Sequence, residues 1–306
     1  MVAYLLRRLL FTVPVLIGIS LITFVLIYFL PADPARMYAG PNASVDAVNR
    51  IRTQLGLDQP FYVQYGRYLE RAVQGDLGYS YQLQMPVTQA ILSRFPYTLQ
   101  LTLAGIFVEL LIGVPAGLLA ASRRSTWLDG TSMVASLIGV SSPPFWLGLL
   151  MLYFFAFRLG LFPLGGAGSW QHLILPAVTA GLGGAGWYAR MTRSSALEVL
   201  SADYVRTARS KGLAGGQVLR RHVLRNAINP IVTMVGMDIP WFIGGVVLIE
   251  TVFAWPGIGR MMVDAILTDD VPLILGTVTF TAVLVVVSSI IIDIVQAMLD
   301  PRIRLR

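Results

Sequence analysis

Residues 9–30 read LLFTVPVLIGISLITFVLIYFL, 22 positions without a charge. A bilayer core needs about 20 mostly apolar residues per helix. The run outlasts the roughly 7–15-residue apolar region of a signal peptide, and no A-x-A cleavage site follows it. The expectation is a retained first membrane span, with Arg7 and Arg8 holding its start in the cytoplasm. A twin-arginine export signal is the rival reading of that arginine pair.

Working outward, similar apolar stretches run from about Leu99 to Leu119, Thr131 to Phe157, His172 to Ala189, Ile228 to Phe253 and Leu273 to Leu299. These predict an all-α integral membrane protein of six transmembrane helices, multi-pass in the cytoplasmic membrane, with both termini cytoplasmic. The composition agrees: of 306 residues, 56% are hydrophobic and 13% charged, and the mean hydropathy is +0.69. Soluble domains are about 25% charged. Of the 23 cations, 15 fall on the N-terminal side of this topology, including eight between Arg190 and Arg225. That asymmetry satisfies the positive-inside rule, so the formal charge of +7 reflects topology and calls for no nucleic acid.

Two connections are patterned. The outer one, residues 31–98, is predicted to form a helical cap between the first span (1–30) and a core of five spans (99–306). Ser44 is placed to cap a helix with Val45, Val48, Ile51 and Leu55 at helical spacing, stopped by Gly56. A second apolar-periodic stretch runs from Phe61 to Val73 and ends at Gly75, and a third runs from Val87 to Phe95 into Pro96. The inner connection, about 190–227, reads as helix, Gly212, helix, the second from Gln217 to Ala227. A basic helical pair beside a membrane can lie on anionic lipid or dock another protein.

Much chemistry is excluded. Without cysteine there are no disulfides, thiolate metal sites or cysteine nucleophile. His172 and His222 stand 50 residues apart, poor material for a metal site, and no catalytic residue or metal site is assigned. Lys211, the only lysine, follows Ser210, so no Gly-Lys-Ser/Thr phosphate loop exists. An enzyme is not expected. What remains is a conduit driven by a partner or by an ion gradient. An ion-coupled carrier should show paired halves with broken helices, and no internal repeat is evident. Glu109 and Asp238 sit about halfway along spans two and five. A charge there costs at least roughly 2.5–3.5 kcal/mol on insertion scales, leaving two readings, a substrate pathway or a hydrogen bond between helices. Glu250 and Asp293 fall near span ends, where solvent is expected to reach them. Ala177, Gly181 and Ala185 form a small-xxx-small face suited to packing within the chain or against a partner. Pro143-Pro144 should kink or break the third span.

Asp203-Tyr204-Val205-Arg206-Thr207-Ala208-Arg209-Ser210-Lys211-Gly212, followed by His222-Val223-Leu224-Arg225-Asn226-Ala227, resembles the coupling loop of ABC-transporter permeases of the dipeptide/oligopeptide/glutathione/nickel class. The resemblance extends along nearly the whole chain. Leu30-Pro31-Ala32-Asp33-Pro34 is similar to that family's LPGDP, with alanine for glycine. Leu55 to Pro60, Gly75-Asp76-Leu77-Gly78, Phe253 to Arg260 and Asp300-Pro301-Arg302-Ile303-Arg304 match further signatures. The glutamate that opens the coupling motif in many other permeases corresponds to Arg206, as is usual in this class. Gln296 stands where many peptide permeases carry tyrosine.

The resemblance implies a permease paired with a second homologous permease, two ATPase subunits and an extracytoplasmic binding protein. ATP and magnesium would be held by the ATPases, with no cofactor in this chain. The implied ATPase-coupling residues are Tyr204, Arg206, Thr207, Ala208, Lys211, Gly212, His222, Arg225 and Asn226. Trp255, Pro256, Gly257 and Arg260 would face the binding protein. Asp33-Pro34-Ala35-Arg36, with Gly40-Pro41, looks most like permeases for short peptides, including glutathione. The Trp170-Gln171-His172 run recurs in both glutathione and nickel members, which leaves nickel or a nickel chelate as the alternative cargo.

Overall fold

The computed structural model describes residues 2–29, 33–40, 42–219 and 223–299, and it is mostly helical. The helices are α1 (Val2–Tyr28), α2 (Pro34–Ala39), α3 (Val45–Leu55), α4 (Phe61–Val73), α5 (Val87–Ser122), α6 (Trp127–Ser141) and α7 (Pro144–Met151). Then follow α8 (Trp170–Ser201), α9 (Asp203–Ser210), α10 (Gly215–Val218), α11 (Leu224–Gly245), α12 (Val247–Val252), α13 (Ile258–Leu267) and α14 (Val271–Leu299). A π-helix, Leu152–Arg158, continues α7, and a hairpin pairs β1 (Tyr79–Ser80) with β2 (Met85–Pro86). His222, Pro31, Ala32 and the 300–306 motif lie outside the described residues.

Among the described residues, three helical stretches are long and apolar enough to cross a bilayer: Leu10–Tyr28, Val87–Ser122 and Val271–Val295. The pair Trp127–Ser141 and Pro144–Arg158, bent by 102°, makes a fourth if it counts as one span. The break falls where two consecutive prolines remove backbone donors, and Pro144 takes the first helical position of α7, where its missing N–H costs nothing. The other stretches depart from the expected outlines. The one at 172–189 continues through the inner connection to Ser201 as a 32-residue helix, about 48 Å long. The one at 228–253 divides between α11 and α12 at Val246. The inner connection's second helix is the short α10, with α11 beginning at Leu224.

The chain divides into two compact units. In the first, residues 1–97 and 256–287, capping sets the local structure. Ser44 Oγ accepts the Ala47 N–H, and Gly56 closes α3 at φ 67°, a left-handed turn that glycine adopts without Cβ penalty. Asp33 caps α2 in the same way, accepting from Ala35 N. Val87, Ala90 and Ile91 pack with Ile258, Met261 and Ala265 of α13 and with Leu273 and Ile274, the α13 residues falling at spacings of three and four. Buried Asp270 accepts from Ser80 Oγ at 2.5 Å and from the backbone N–H groups of Gln82 and Leu273. It thereby caps α14 and ties the hairpin to it. Tyr68 of α4 completes the tie, 2.5 Å from Thr279 Oγ1 and 3.4 Å from Leu275 O.

In the second unit, residues 98–255 and 288–306, small residues allow backbones to approach. Gly105, Gly113 and Gly117 stand every four or eight positions along α5. A Cβ at Gly113 would lie 2.5 Å from Tyr188 Cβ and 2.6 Å from Ala185 O; one at Gly117 would strike Ala189 O. Gly181 on α8 returns the fit against Val108 and Gly105 O. The Ala177–Gly181–Ala185 face is thus covered within the chain, all three residues being buried. Gly186 meets Ser136 of α6. Arg193 of α8 holds Asp129 of α6 through two bonds, of 2.6 and 2.8 Å, and Ser125 N–H adds a third at 3.0 Å.

Candidate functional site: a seated basic helix and a buried polar cluster

The eight residues of α9 sort by face. Val205 and Ala208, one turn apart, are buried with Ala121 at the end of α5, Ala196 of α8, Val218 and Val223. Tyr204, Arg206, Thr207 and Lys211 are exposed. The helix is held by its apolar side and offers its polar side. The pair between Arg206 and Asp203 is 3.5 Å long, with both side chains largely exposed, and such pairs contribute little. Arg206 remains available to a partner. Gly212 ends the element at φ 81°, where Leu213 N–H reaches back to Ala208 O. Nothing lies within 4 Å of a Cβ built there, so the backbone conformation alone demands glycine. Of the coupling residues expected from the sequence, Ala208 seats the helix and does not face outward. Arg225 and Asn226 lie in the first turn of α11.

A second group of polar side chains is enclosed by apolar helices. Glu109 of α5 is 2% exposed, and Tyr188 of α8 is 1% exposed. Tyr188 Oη donates a short hydrogen bond to Asp238 Oδ2 of α11, and the Glu109 and Asp238 carboxyl groups interact. Glu109 Oε2 has no hydrogen-bond partner. A Cβ at Gly184 would overlap the Glu109 carboxyl, so glycine makes the room for it. The structure thus brings together the two acids that the sequence places at mid-helix. Sequence reasoning missed Tyr188 and Gly184. The signal was present in the run Gly181-Leu182-Gly183-Gly184-Ala185-Gly186-Trp187-Tyr188, a glycine-rich helix carrying one phenol.

The Trp255–Arg260 segment separates into two parts. Trp255 is 3% exposed in the second unit, its N–H bonded to Glu250 O at 2.8 Å. In the first unit Pro256, Gly257 and Arg260 line a cavity of about 300 Å³ together with Arg94, Gln82 and Asp264. Glu250 corrects an expectation: it is wholly buried, and its Oε1 accepts from Thr98 Oγ1 at 2.7 Å. Its distance from the helix middle does not expose it, because α12 packs against α7 and α8. No group of three or more His, Asp or Glu suited to a metal occurs among the described residues.

Long apolar helices, a seated basic helix and polar groups enclosed at mid-helix define a subunit of a membrane transporter. Residues 113–305 match the family described as binding-protein-dependent transport system inner membrane component, and residues 1–102 match that system's N-terminal membrane component. The chain is 42% identical over 304 residues, 99% of each chain, to the glutathione transport system permease protein GsiC of Escherichia coli (strain K12). It is equally close to that of Salmonella paratyphi A (strain ATCC 9150 / SARB42). Among solved structures, the MetNI methionine ABC transporter in an inward-facing conformation aligns with TM-score 0.59 at 20% identity, over 69% of this chain and 97% of that one. An amino acid ABC transporter aligns with TM-score 0.53 at 15% identity, over 69% and 94%.

The chain belongs to the binding-protein-dependent transport system inner membrane component family. It is the permease subunit of an ABC importer, a multi-pass inner-membrane protein, and ATP hydrolysis belongs to separate subunits.

Proposed function

We propose that this permease passes short peptides of the glutathione kind, delivered by an extracytoplasmic binding protein. We further propose that it works beside a second homologous permease and two ATPases, which hold ATP and magnesium. The cargo rests on full-length 42% identity to glutathione permeases. Our reading of the topology is six spans with both termini cytoplasmic, carried by α1, α5, α6 with its continuation, α8, α11 with α12, and α14; the length and apolarity of α1, α5 and α14 support it. Residues 31–98 are then the extracytoplasmic cap, and α9 faces the ATPases.

The observation that carries the mechanism is the two-sidedness of α9. Val205 and Ala208 fix it to Ala121 and Ala196, so a push on Tyr204, Arg206, Thr207 or Lys211 passes directly to the ends of α5 and α8. His222, Arg225 and Asn226 would complete the coupling surface. ATP-driven closure of the ATPases would move this seat and change the path between inward- and outward-facing states. Glu109 and Asp238 would lie along that path as polar groups for the peptide's ammonium. Trp255, Pro256, Gly257 and Arg260 would serve the binding-protein side, Trp255 from its buried position.

The test is uptake of labelled di- and tripeptides, glutathione and nickel by cells with and without the chain. Loss of peptide or glutathione uptake is expected, and loss of nickel uptake alone would overturn the cargo. Gly212→Asp should abolish uptake with normal membrane insertion, because aspartate strains a turn at φ 81° and adds a charge beside the ATPase surface. Normal uptake in that variant would remove the coupling assignment.

A further inference from the structure

The first unit holds a cavity of about 600 Å³, within the range of about 300–1,000 Å³ typical of small-molecule sites. Its lining mixes rings with charges of both signs. Phe24 and Tyr28 come from α1, Arg67, Tyr68 and Arg71 from α4, and Asp269 from the turn between α13 and α14. The scaffold is fixed: Tyr68 is tied to α14, and Phe24 packs its ring on Phe61, Tyr65 and Tyr68 at 5.4–5.9 Å.

Other charges at this cavity have protein partners. Asp33 pairs with Arg52 at 2.5 Å, Asp270 is capped as described above, and Asp76 accepts the Gly78 N–H. Arg67, Arg71 and Asp269 have no ion-pair partner among the described residues. The two arginines stand one helical turn apart and project as neighbours, the arrangement that receives a carboxylate from two guanidinium groups. Asp269 is held at φ 54°, a left-handed conformation that a non-glycine residue keeps only when its surroundings impose it. Here the imposing bonds are Asp269 N–H to Ile266 O and Asp270 N–H to Ala265 O. Tyr81, also in the lining, is held protonated above the usual phenol range by burial and by the neighbouring Tyr38 hydroxyl. It stays a neutral hydrogen-bonding group.

We propose that this cavity is a binding site, resident in the permease itself, for a short zwitterionic peptide. Arg67 and Arg71 take its carboxylate, Asp269 its ammonium, and Phe24, Tyr28 and Tyr68 its side chains. The inference rests on the peptide-import reading above. The same pairing of oxyanion and ammonium occurs in an ethanolamine phospholipid headgroup, and the experiment separates the two sources.

The complete transporter, without its binding protein, is placed in nanodiscs of phosphatidylcholine and phosphatidylglycerol, and equilibrium binding of radiolabelled glutathione is measured. Saturable binding is expected, displaced by dialanine and not by N-acetyl-dialanine amide, which lacks both charges. The double variant Arg67→Gln/Arg71→Gln should weaken it by at least about tenfold, and Asp269→Asn by several-fold. Arg67→Lys/Arg71→Lys should retain part of it, since lysine keeps the charge and loses the planar fork. Both arginines are exposed, so these variants leave the fold intact.

Binding indifferent to all these variants would overturn the site. So would the absence of saturable binding in a complex that still imports glutathione with its binding protein, and that result would leave the cargo reading standing. A complex that imports no peptide even with its binding protein would instead remove the cargo reading, and the peptide site with it. Loss of glutathione binding when phosphatidylethanolamine is added, with that lipid retained through Arg67 and Arg71 by native mass spectrometry, would give the cavity to the lipid and overturn the peptide assignment.

Discussion

Asp129 and Glu109 are both buried carboxylates on long helices of the same unit, 6% and 2% exposed, and their surroundings differ completely. Asp129 is satisfied: a guanidinium grips both its oxygens and a backbone N–H adds a third bond. Glu109 is not. Its neighbour is a second acid, the one phenol nearby donates to that acid, and its Oε2 is left without a partner. Among the described residues neither Glu109 nor Asp238 has an ion-pair partner. A satisfied buried charge braces a structure, whereas an unsatisfied one costs about 1–3 kcal/mol or more and calls for another explanation. A buried carboxyl group that shares its one contact with another acid and keeps an open oxygen is available to a passing cation. This difference favours a pathway role for Glu109 and a structural role for Asp129.

The most damaging test of this comparison removes the space that Glu109 occupies. Gly184→Leu would drive a side chain into the Glu109 carboxyl on a helix pair that has no slack, since Gly113 and Gly117 already meet α8 at contact distance. Overpacking typically costs about 1–3 kcal/mol and occasionally more, and the displaced carboxyl adds to that. The expected outcome is loss of monodisperse protein after extraction, read by size-exclusion chromatography. A well-behaved Gly184→Leu protein would mean that α5 and α8 are not packed as described.

The next test sets the two acids against each other. Asp129→Asn leaves Arg193 with a weakened partner and should lower unfolding stability by about 1.5–3 kcal/mol, the worth of a hydrogen bond to a charged group. It should appear as a lower thermal midpoint in detergent, with transport per folded molecule little changed. Glu109→Gln keeps the shape and removes the acid. Its thermal midpoint should stay level or rise, while uptake falls by about tenfold, equivalent to about 1.4 kcal/mol. If Glu109→Gln behaves like Asp129→Asn, destabilised and otherwise active, Glu109 is a brace and the pathway reading fails. Tyr188→Phe sits between them. It deletes the donor to Asp238 and should cost about 1 kcal/mol, checked by the same melting experiment.

The two acids also show how much the sequence could say. The helical period and low charge were enough to place Glu109 and Asp238 at mid-helix, just as Ser44 and Gly56 were enough to bound α3. Those signals are local, carried within a dozen residues by caps, turns and stripes. The meeting of Glu109 with Asp238 is not local. It depends on α8 lying between residues far apart in the chain, and only the glycines at 113, 117, 181 and 184 hinted at which faces would touch. Elements too short to have a period were illegible for the same reason: the two-residue strands around Gln82, the six-residue α2 and the π-helical turn after Met151 have no repeat to read. In the expected coupling element the motif identified the loop and the spacing of Val205 and Ala208 marked an apolar face among arginines, but what that face is buried against, Ala121 and Ala196, comes from two distant helices.

The smallest expected effect concerns a polar group that unsatisfied burial alone does not make functional. Thr192 of α8 is wholly buried and its hydroxyl has no hydrogen-bond partner. Its Cβ side lies where Gly117 allows α5 to come close, 2.7 Å from a Cβ built on that glycine. The hydroxyl therefore brings a desolvation cost without a compensating bond, whereas the β-branched shape fills the contact. Valine keeps the shape and removes the unpaired oxygen, a change that can be neutral or stabilising. Thr192→Val should leave uptake unchanged and shift stability by no more than about 1 kcal/mol, upward if at all. A marked loss of uptake with normal stability would show that this hydroxyl meets a partner during the transport cycle, and the functional polar groups would then extend beyond Glu109, Tyr188 and Asp238 toward the end of α8 that carries α9.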